Sequence, residues 1–370
     1  MTRKSDSAPG HQANRTHSIA KTLRGRSHRR PAVLAIAVTT ALLSAPLPAP
    51  AQQPASTKQP APTQQSAAAT EPRLADLLDA IPPYNPQNSV SGEALLAGST
   101  TMLQLGQHWA ARFKQFHPQV EFTRAGDGSQ AALELLQKNP AAIAGLSRMV
   151  TAEEVAALKQ AKCPDPAVVV VAVEPLAVYV HADSPLKTIS PQQLQKIFAA
   201  GAATTWADLG VEGPLASQAI RVHSRIDDDS LVRFISDAVA GGQPSAKPAA
   251  THRSGGEMIK GVAADPAGVA IGSMRSDSAA GVKPLPLSLG TGSVEPTEAN
   301  FLSGQYPLVR PLTLIFEKSM LDHDGGLRRE ILKYVLSRDG QAEAVLAGFY
   351  PVSPNFIAQQ IATLSGPQLR

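Results

Sequence analysis

Three stretches in the first half of the chain repeat one pattern: a short apolar strand, a turn of small and hydroxyl-bearing residues, and an amphipathic helix. The turns are Ser99-Thr100-Thr101, Gly128-Ser129 and Ser147-Arg148. Strands that alternate with helices predict a parallel sheet. Ligands of open α/β sheets bind beyond the carboxyl ends of the strands. We therefore expect the three turns to meet at one binding site.

The first of these turns has the chemistry of an anion site. Residues 93–97 predict a strand, Gly98 a tight turn, and residues 102–116 a helix whose apolar face includes Trp109 and Phe113. Unpaired N–H groups and the positive end of the helix dipole favour an anion at such a terminus. Serine and threonine are also ordinary N-cap residues, so capping is the alternative role for these hydroxyls.

The remaining sequence continues the α/β pattern. Residues 168–173 form an apolar run suited to a strand buried on both faces, and we expect Glu174-Pro175 to interrupt it before it resumes at 176–180. Other predicted strands are 120–123, 141–145, 220–223 and 268–271, and 306–316 is a long apolar segment. Other predicted helices are 74–81, 130–137, 152–159, 191–198, 231–239, 257–263, a pair within 327–346, and 355–364.

The N-terminal 51 residues predict a signal peptide. They hold eight of the 34 Lys and Arg residues and one acid, Asp6, followed by an apolar run at 31–43 and an Ala49-Pro50-Ala51 exit. The apolar run is shorter than the roughly 20 residues that a membrane-spanning helix needs. We therefore expect a periplasmic or secreted protein. Arg29-Arg30 leaves open whether export uses the Sec or the twin-arginine route.

The composition of the remainder argues against several functional classes. Its 26 basic and 29 acidic residues give a net charge of about −3, which does not favour binding to nucleic acid.

Residues 52–90 begin with a stretch rich in Gln, Pro and Ala and predict a flexible linker. Cys163 is the only cysteine, so it has no intramolecular disulfide partner. His108, His181 and His223 lack the spacing of a metal site, and we expect neither a metal nor a cofactor.

A longer ordered series of motifs resembles one protein family. After the three turns, the series continues with Pro175-Leu176-Ala177-Val178-Tyr179-Val180, Leu194-Gln195-Lys196-Ile197-Phe198, Trp206-Ala207-Asp208-Leu209, Arg225-Ile226-Asp227, Asp265-Pro266-Ala267-Gly268-Val269-Ala270-Ile271-Gly272 and Tyr306-Pro307-Leu308-Val309-Arg310-Pro311-Leu312. Over residues 95–354, the order and spacing are similar to those of the periplasmic phosphate-binding proteins of bacterial ABC transporters. The resemblance implies a two-lobed α/β fold of the type II periplasmic binding proteins, with a mixed sheet flanked by helices in each lobe and the ligand cleft between the lobes.

The resemblance also implies domain limits and partners. Two strands, near Leu176 and near Tyr306, would cross between the lobes. The implied limits are 91–175 with 306–354 for lobe 1, 176–305 for lobe 2 and 355–370 for a C-terminal tail. We expect a monomer that binds inorganic phosphate or a related oxyanion and delivers it to an ABC transporter permease.

The site residues implied by the resemblance lie on the turns and on a later arginine. The family's first phosphate-binding turn falls on Thr100 and Thr101, and its second falls on Ser129. The family's arginine falls on Arg225, which would hold two phosphate oxygens in a bidentate fork. The lesser candidates are Ser99, Ser147, Arg148, Asp229 and Ser230. For Arg148, a solvated or salt-bridged position is the alternative.

One turn departs from the family pattern. Family members usually follow Arg-x-Asp with a Gly- and Ser/Thr-rich turn, where this chain has Asp228-Asp229-Ser230-Leu231. One carboxylate can accept the proton of hydrogen phosphate and so reject sulfate, which has no proton to give. Several carboxylates would repel a dianion. The alternative is that Asp229 caps the following helix and Asp227 orients Arg225.

Two other functional classes stay open. An exported serine hydrolase would use Ser129 or Ser99 as its nucleophile, but neither serine lies in Gly-x-Ser-x-Gly, so we do not expect an enzyme. A sensory or scaffold protein that binds another ligand, or none, would follow from the acidic turn at Asp228 and Asp229.

Overall fold

The computed structural model describes residues 73–87, 89–201, 205–226, 229–276, 279–290 and 292–364, so the predicted signal peptide and most of the predicted linker lie outside the described residues. The described strands are β1 (Gly92–Gly98), β2 (Val120–Asp127), β3 (Ile143–Leu146), β4 (Pro166–His181), β5 (Arg221–Arg225), β6 (Ala250–His252), β7 (Gly268–Ser273), β8 (Val282–Leu285), β9 (Leu287–Ser288), β10 (Ser293–Val294) and β11 (Val309–Glu317). The described α-helices are α1 (Leu74–Asp79), α2 (Thr100–Phe116), α3 (Ser129–Lys138), α4 (Ala152–Gln160), α5 (Pro191–Phe198), α6 (Asp229–Phe234), α7 (Gly255–Ala263), α8 (Glu298–Leu302), α9 (Leu327–Val335), α10 (Arg338–Leu346) and α11 (Pro354–Leu364).

Nine of these strands form one mixed sheet in the order β2-β1-β3-β11-β4-β7-β5-β6, with β8 also paired to β4. The strands are parallel towards both ends of the sheet, where β1 pairs with β2 and β3, and β5 pairs with β6 and β7. The centre is antiparallel, because β11 returns from late in the chain and inserts between β3 and β4. The parallel strand–helix units predicted for the first half of the chain are therefore confirmed.

Strand β4 runs unbroken through Glu174 and Pro175, so the predicted interruption was wrong. Proline has no N–H to donate, but no neighbouring strand requires one at this position. The N–H of Val173 points away from β11 and donates to Tyr350 O, and the nitrogen of Pro175, two residues on, faces the same side. On that side, β7 pairs with β4 only from Leu176 onward.

The change of partner along β4 divides the sheet into two groups. Up to Pro175, β4 pairs with β11, and from Leu176 it pairs with β7 and β8. Leu176 donates its N–H to Leu308 O at 2.9 Å and accepts a 2.8 Å hydrogen bond from the Tyr306 hydroxyl. We call β1–β3, β11 and the first part of β4, with their helices, the first lobe. Strands β5–β8 and the rest of β4, with their helices, form the second lobe.

The segment before β1 belongs to the folded body, contrary to the expectation of a linker up to residue 90. Ile81, Tyr84 and Val90 are buried in the core. The Tyr84 hydroxyl donates to Glu330 Oε1 at 2.8 Å and lies 2.7 Å from His117 Nε2, while the Val90 N–H donates to His117 Nδ1 at 3.2 Å. These side chains hold the segment against α2 and α9, so ordered structure begins earlier than the sequence indicated.

The C-terminal helix, which was predicted as part of a tail, also packs against the folded body. Ile357 is buried, and the side-chain amide of Gln360 bonds both the N–H and the C=O of Val170, at 2.7 and 2.9 Å. Gln341 Nε2 also donates to Val171 O at 2.8 Å. These amides satisfy backbone groups of β4 that no strand reaches, and so protect an edge that is otherwise open to further pairing.

The remaining helices lie within a few residues of their predicted limits. Helix α2 begins at Thr100, because Ser99 caps it. The helix predicted at 231–239 begins at Asp229 and continues from α6 as a π-helical turn at Ile235–Val239. Among the described residues, no helix combines the length and apolar character needed to cross a membrane.

Candidate anion-binding site

The three strand-end turns meet, as the sequence predicts. Gly128 donates its N–H to Gly98 O at 3.1 Å, and Ser99 donates its N–H to Gly145 O at 3.1 Å. The Ser147 hydroxyl donates to Ser99 Oγ at 3.1 Å. The convergence of the turns is therefore confirmed, and the contact of each residue with a ligand stays a prediction.

Two glycines allow this close approach. A Cβ atom on Gly98 would lie 2.8 Å from Gly145 O, and one on Gly145 would lie 2.9 Å from the Cβ of Met102. Carbon atoms do not approach backbone or Cβ atoms so closely without displacement. The missing side chains therefore let the first turn of α2 sit directly on the ends of β1 and β3.

The N-terminus of α2 combines a cap with unused donors. Ser99 Oγ accepts the N–H of Met102 at 3.2 Å, so the capping role left open by the sequence applies to Ser99. Thr100 and Thr101 occupy the first two helical positions, whose N–H groups have no acceptor within a helix. Thr100 is exposed and Thr101 is buried.

Two predicted site serines meet across the lobes. Ser129 is the first residue of α3 in the first lobe, and Ser230 is the second residue of α6 in the second lobe. Their hydroxyl oxygens are joined by a hydrogen bond, and each side chain is almost completely buried. Gly128, at φ +105°, turns the chain immediately before Ser129 in a conformation that favours glycine. Hydroxyls at two helix N-termini thus face one point from opposite sides.

Arg225 lies at the carboxyl end of β5, five residues before Ser230 in the sequence. It is half-buried and pairs in register with His252 of β6, and Ile226 donates its N–H to His252 O at 2.9 Å. Asp227 and Asp228 lie outside the described residues, as does the side chain of Asp229 at the start of α6. For this acidic turn, acceptance of a proton from the ligand and a capping or orienting role therefore both stay predictions.

Arg148 forms the salt bridge that the sequence left as its alternative role. It is buried, and its two terminal nitrogens donate to the two carboxylate oxygens of Glu154, each at 2.8 Å. Burial raises the pKa of Glu154, but hydrogen bonds from Arg148 and from the Thr151 N–H bring that pKa below its usual value. Arg148 is thus largely neutralised by a partner in its own lobe, and a role in ligand binding stays a prediction.

Sequence reasoning missed Glu154 and Arg233, which pair at 3.7 Å from the first and second lobe respectively. A signal for Glu154 was present, because Thr151 and Glu154 form a capping box that fixes the glutamate at the start of α4. No local pattern marks Arg233, since its partner lies 79 positions earlier in the chain.

A histidine pair was also missed, although His223 itself had been considered. His223 Nδ1 lies 3.0 Å from His252 Nε2, and His223 Nε2 lies 3.0 Å from Asp265 Oδ2. Across the described parts of the chain, no group of three or more His, Cys, Asp or Glu side chains is arranged to hold a metal ion.

The two serines considered as nucleophiles contact other serines. Ser129 Oγ is bonded to Ser230 Oγ, and Ser99 Oγ receives the Ser147 hydroxyl. Among the described residues, neither serine is hydrogen-bonded to a histidine that would act as a base.

Known proteins are similar to this chain in sequence and in fold. The phosphate-binding protein PstS of Pseudomonas aeruginosa is 29% identical over 302 residues, which cover 79% of this chain and 93% of that protein. The crystal structure of an ABC-type phosphate transport receptor from Vibrio cholerae matches with a TM-score of 0.59 and 24% identity, over 70% of this chain and all of that chain. A possible phosphate binding protein from Planctomyces limnophilus matches with a TM-score of 0.58 and 22% identity, over 75% of this chain and 98% of that chain.

These matches confirm the predicted two-lobed α/β fold. The model of the PBP superfamily domain matches residues 83–339. That range begins beside Tyr84, includes all three turns, β5 and α6, and ends after β11 and α9. It covers well over half of the chain, and the chain therefore belongs to the PBP superfamily.

Proposed function

We propose that this protein is an exported solute-binding protein that binds inorganic phosphate between its lobes and delivers it to an ABC transporter permease. The observation that carries the proposal is the meeting of Ser129 and Ser230, at helix N-termini from opposite lobes. The similarity to proteins named for phosphate binding and phosphate transport supports the choice of ligand.

Phosphate would take its hydrogen bonds from both lobes. The first lobe offers the N–H groups of Thr100 and Thr101 and the Ser129 hydroxyl, and the second lobe offers Ser230 and Arg225. A hydroxyl donates one hydrogen bond and a guanidinium donates two to an oxyanion in a fork. Because the serine hydroxyls now bond each other, a bound phosphate oxygen would replace one hydroxyl as the other's acceptor.

We infer that Ser99, Ser147 and Arg148 support the site indirectly. Ser99 caps α2, Ser147 donates to Ser99, and Arg148 is held by Glu154. In the acidic turn, we propose that one carboxylate, with Asp229 as the candidate, accepts the proton of hydrogen phosphate. That contact would distinguish phosphate from sulfate.

The proposed organisation follows the motif series. We propose a signal peptide at 1–51, a first lobe formed by residues up to 175 and from 306, and a second lobe at 176–305. Leu176 and Tyr306, which contact each other, would form the hinge about which the lobes close on the ligand. We propose a monomeric binding protein rather than an enzyme, in the periplasm or outside the cell.

Calorimetric titration of the full-length protein with phosphate and then with sulfate tests this function. Bound phosphate is first removed by partial unfolding and dialysis, because a retained ligand would hide the signal. We expect saturable phosphate binding and no sulfate binding. A folded, stripped protein that ignores phosphate would overturn the proposal and favour a scaffold or a different ligand.

Two variants locate the binding. Arg225→Ala removes charge-assisted hydrogen bonds and should weaken phosphate binding by about tenfold or more, and Ser230→Ala should weaken it by about fivefold. Ser236→Ala is the matched control, because that exposed hydroxyl lies in the segment following α6 and bonds only to Gln243 O among the described hydrogen bonds. Its binding should equal that of the wild type.

A further inference from the structure

A cation of the second lobe faces a carboxylate of the first lobe outside the candidate anion site. Arg233 Nη1, on α6, lies 3.7 Å from Glu154 Oε1, on α4. The strands next to these helices, β5 and β3, are separated in the sheet by β11, β4 and β7. The ion pair therefore spans the two lobes.

Glu154 is held in place by hydrogen bonds within the first lobe. Both of its oxygens accept from Arg148 at 2.8 Å, and Oε2 also accepts the N–H of Thr151 at 2.9 Å. Its side chain is 13% exposed. The carboxylate is thus a fixed, anionic acceptor whose position is set entirely by the first lobe.

Arg233 is the more exposed partner of this pair. Its side chain is 44% exposed, and two further acids lie near it, Asp237 on its own segment at 4.0 Å and Glu153 beside Glu154. Arg233 follows Ser230 by three positions, so both side chains lie on one side of α6. Any movement that brings Ser230 to Ser129 therefore also brings Arg233 towards Glu154.

We propose that Arg233 is a positioning residue for ligand retention, which pairs with Glu154 to hold the lobes closed over the bound anion. This role rests on the proposed function, because it concerns the lifetime of the phosphate complex. Because Arg233 is partly exposed, its effect is modest and falls as salt increases.

Stopped-flow measurement of phosphate release from the full-length protein tests the proposal. Arg233→Gln should release phosphate about two- to fivefold faster, and this difference should vanish at about 1 M salt, where the screening length is about 3 Å. Arg221→Gln is the matched control, since it removes the same charge from an exposed arginine whose partner, Asp265 at 2.9 Å, lies within the second lobe. Its release rate should equal that of the wild type.

A double-mutant comparison identifies the partner. In a Glu154→Gln background, Arg233→Gln should change release no further. With Glu154 intact, Arg233→Lys should keep part of the lifetime that Arg233→Gln loses. An effect of Arg233→Gln that persists unchanged in the Glu154→Gln background would overturn the pairing.

A second readout does not need phosphate. Spin labels on Lys159→Cys and Lys260→Cys, both exposed and in different lobes, report the distance between lobes in a Cys163→Ala background. Arg233→Gln should broaden the distance distribution, and Arg221→Gln should not. If the wild type binds no phosphate, the proposed function fails while this measurement still decides the closure role. A distribution unchanged by Arg233→Gln overturns the role of Arg233.

Discussion

The two halves of the candidate site are built differently. In the first lobe, the turns bond to one another, through Gly128 to Gly98, Ser99 to Gly145 and Ser147 to Ser99. In the second lobe, Ser230 and Arg233 instead contact partners across the cleft. The first-lobe turns are therefore fixed by contacts within their own lobe, whereas Ser230 and Arg233 find partners in the other lobe.

The helices behind the two serines differ in length and form. Helix α3 has ten residues, and Ala132, Leu133 and Leu136 anchor it in the core behind Ser129. Helix α6 has six residues before it passes into a π-helical turn, and Val232 beside Ser230 is partly exposed. Leu231, Ile235 and Val239 anchor this segment in the core. π-helical turns are frequent at functional sites, so the turn after α6 is the feature that distinguishes the second-lobe half of the site.

The largest expected effect would break the first-lobe arrangement. Gly145→Ala places a Cβ 2.9 Å from the Cβ of Met102, so α2 must shift away from β3. We expect a loss of about 1–3 kcal/mol in the free energy of unfolding, as for other overpacked sites, together with weaker phosphate binding. Urea denaturation and calorimetry measure the two effects.

A second-lobe glycine provides the control for that variant. Gly256, at the start of α7, has no atom within 4 Å of an added Cβ and no positive φ. Gly256→Ala should leave the unfolding midpoint and the phosphate affinity close to wild type. Wild-type binding by a stable Gly145→Ala protein would contradict the view that the first-lobe turns must be tightly packed.

A somewhat smaller effect is expected from a first-lobe variant that lowers stability without changing phosphate binding. Tyr84→Phe removes the hydroxyl that bonds Glu330 and His117, and leaves both buried groups short of a partner. We expect a loss of about 1–2 kcal/mol in the free energy of unfolding with unchanged phosphate affinity, because the network lies away from the three turns. A fall in affinity of the same size would show that the turns depend on this network.

Local sequence patterns predict most of the elements and the convergence of the turns. Apolar periodicity locates α2, α3 and β3 to within a few residues, and the parallel order of β1, β2 and β3 follows from their alternation with helices. Ser99 and the glycines at the strand ends mark where each unit turns. These features depend on residues close in sequence, so they can be read without the fold.

What the sequence could not show depends on partners far along the chain. Pro175 reads as a strand breaker, and only the absence of a pairing strand beside its nitrogen makes it acceptable. Gln360 reads as part of a polar tail, yet its amide bonds Val170, 190 positions earlier. Arg233 resembles any exposed helix residue until Glu154 is placed opposite it. In each case, tertiary placement determines the role of an ordinary residue.

The smallest predicted effect is that of low pH on two histidines, one in each lobe. Burial lowers the pKa of His117 in the first lobe, against an opposing effect of Glu330, and burial and His223 lower the pKa of His252 in the second lobe. A lowered pKa in the folded state means that the stabilising contribution of neutral histidine is complete above about pH 6.5 and is lost as pH falls below that value.

The two histidines should nevertheless affect neighbouring amides differently. The Val90 N–H donates to His117 Nδ1, which cannot accept once it is protonated, whereas the Ile226 N–H donates to the backbone oxygen of His252, which does not titrate. Lowering the pH from about 7.5 to about 5 should therefore weaken the protection of Val90 against hydrogen exchange by about 1 kcal/mol, after correction for the intrinsic rate, and affect Ile226 less. An equal loss of protection at both amides would mean that low pH opens both lobes together. The structure of the first lobe would then not be independent of the second lobe.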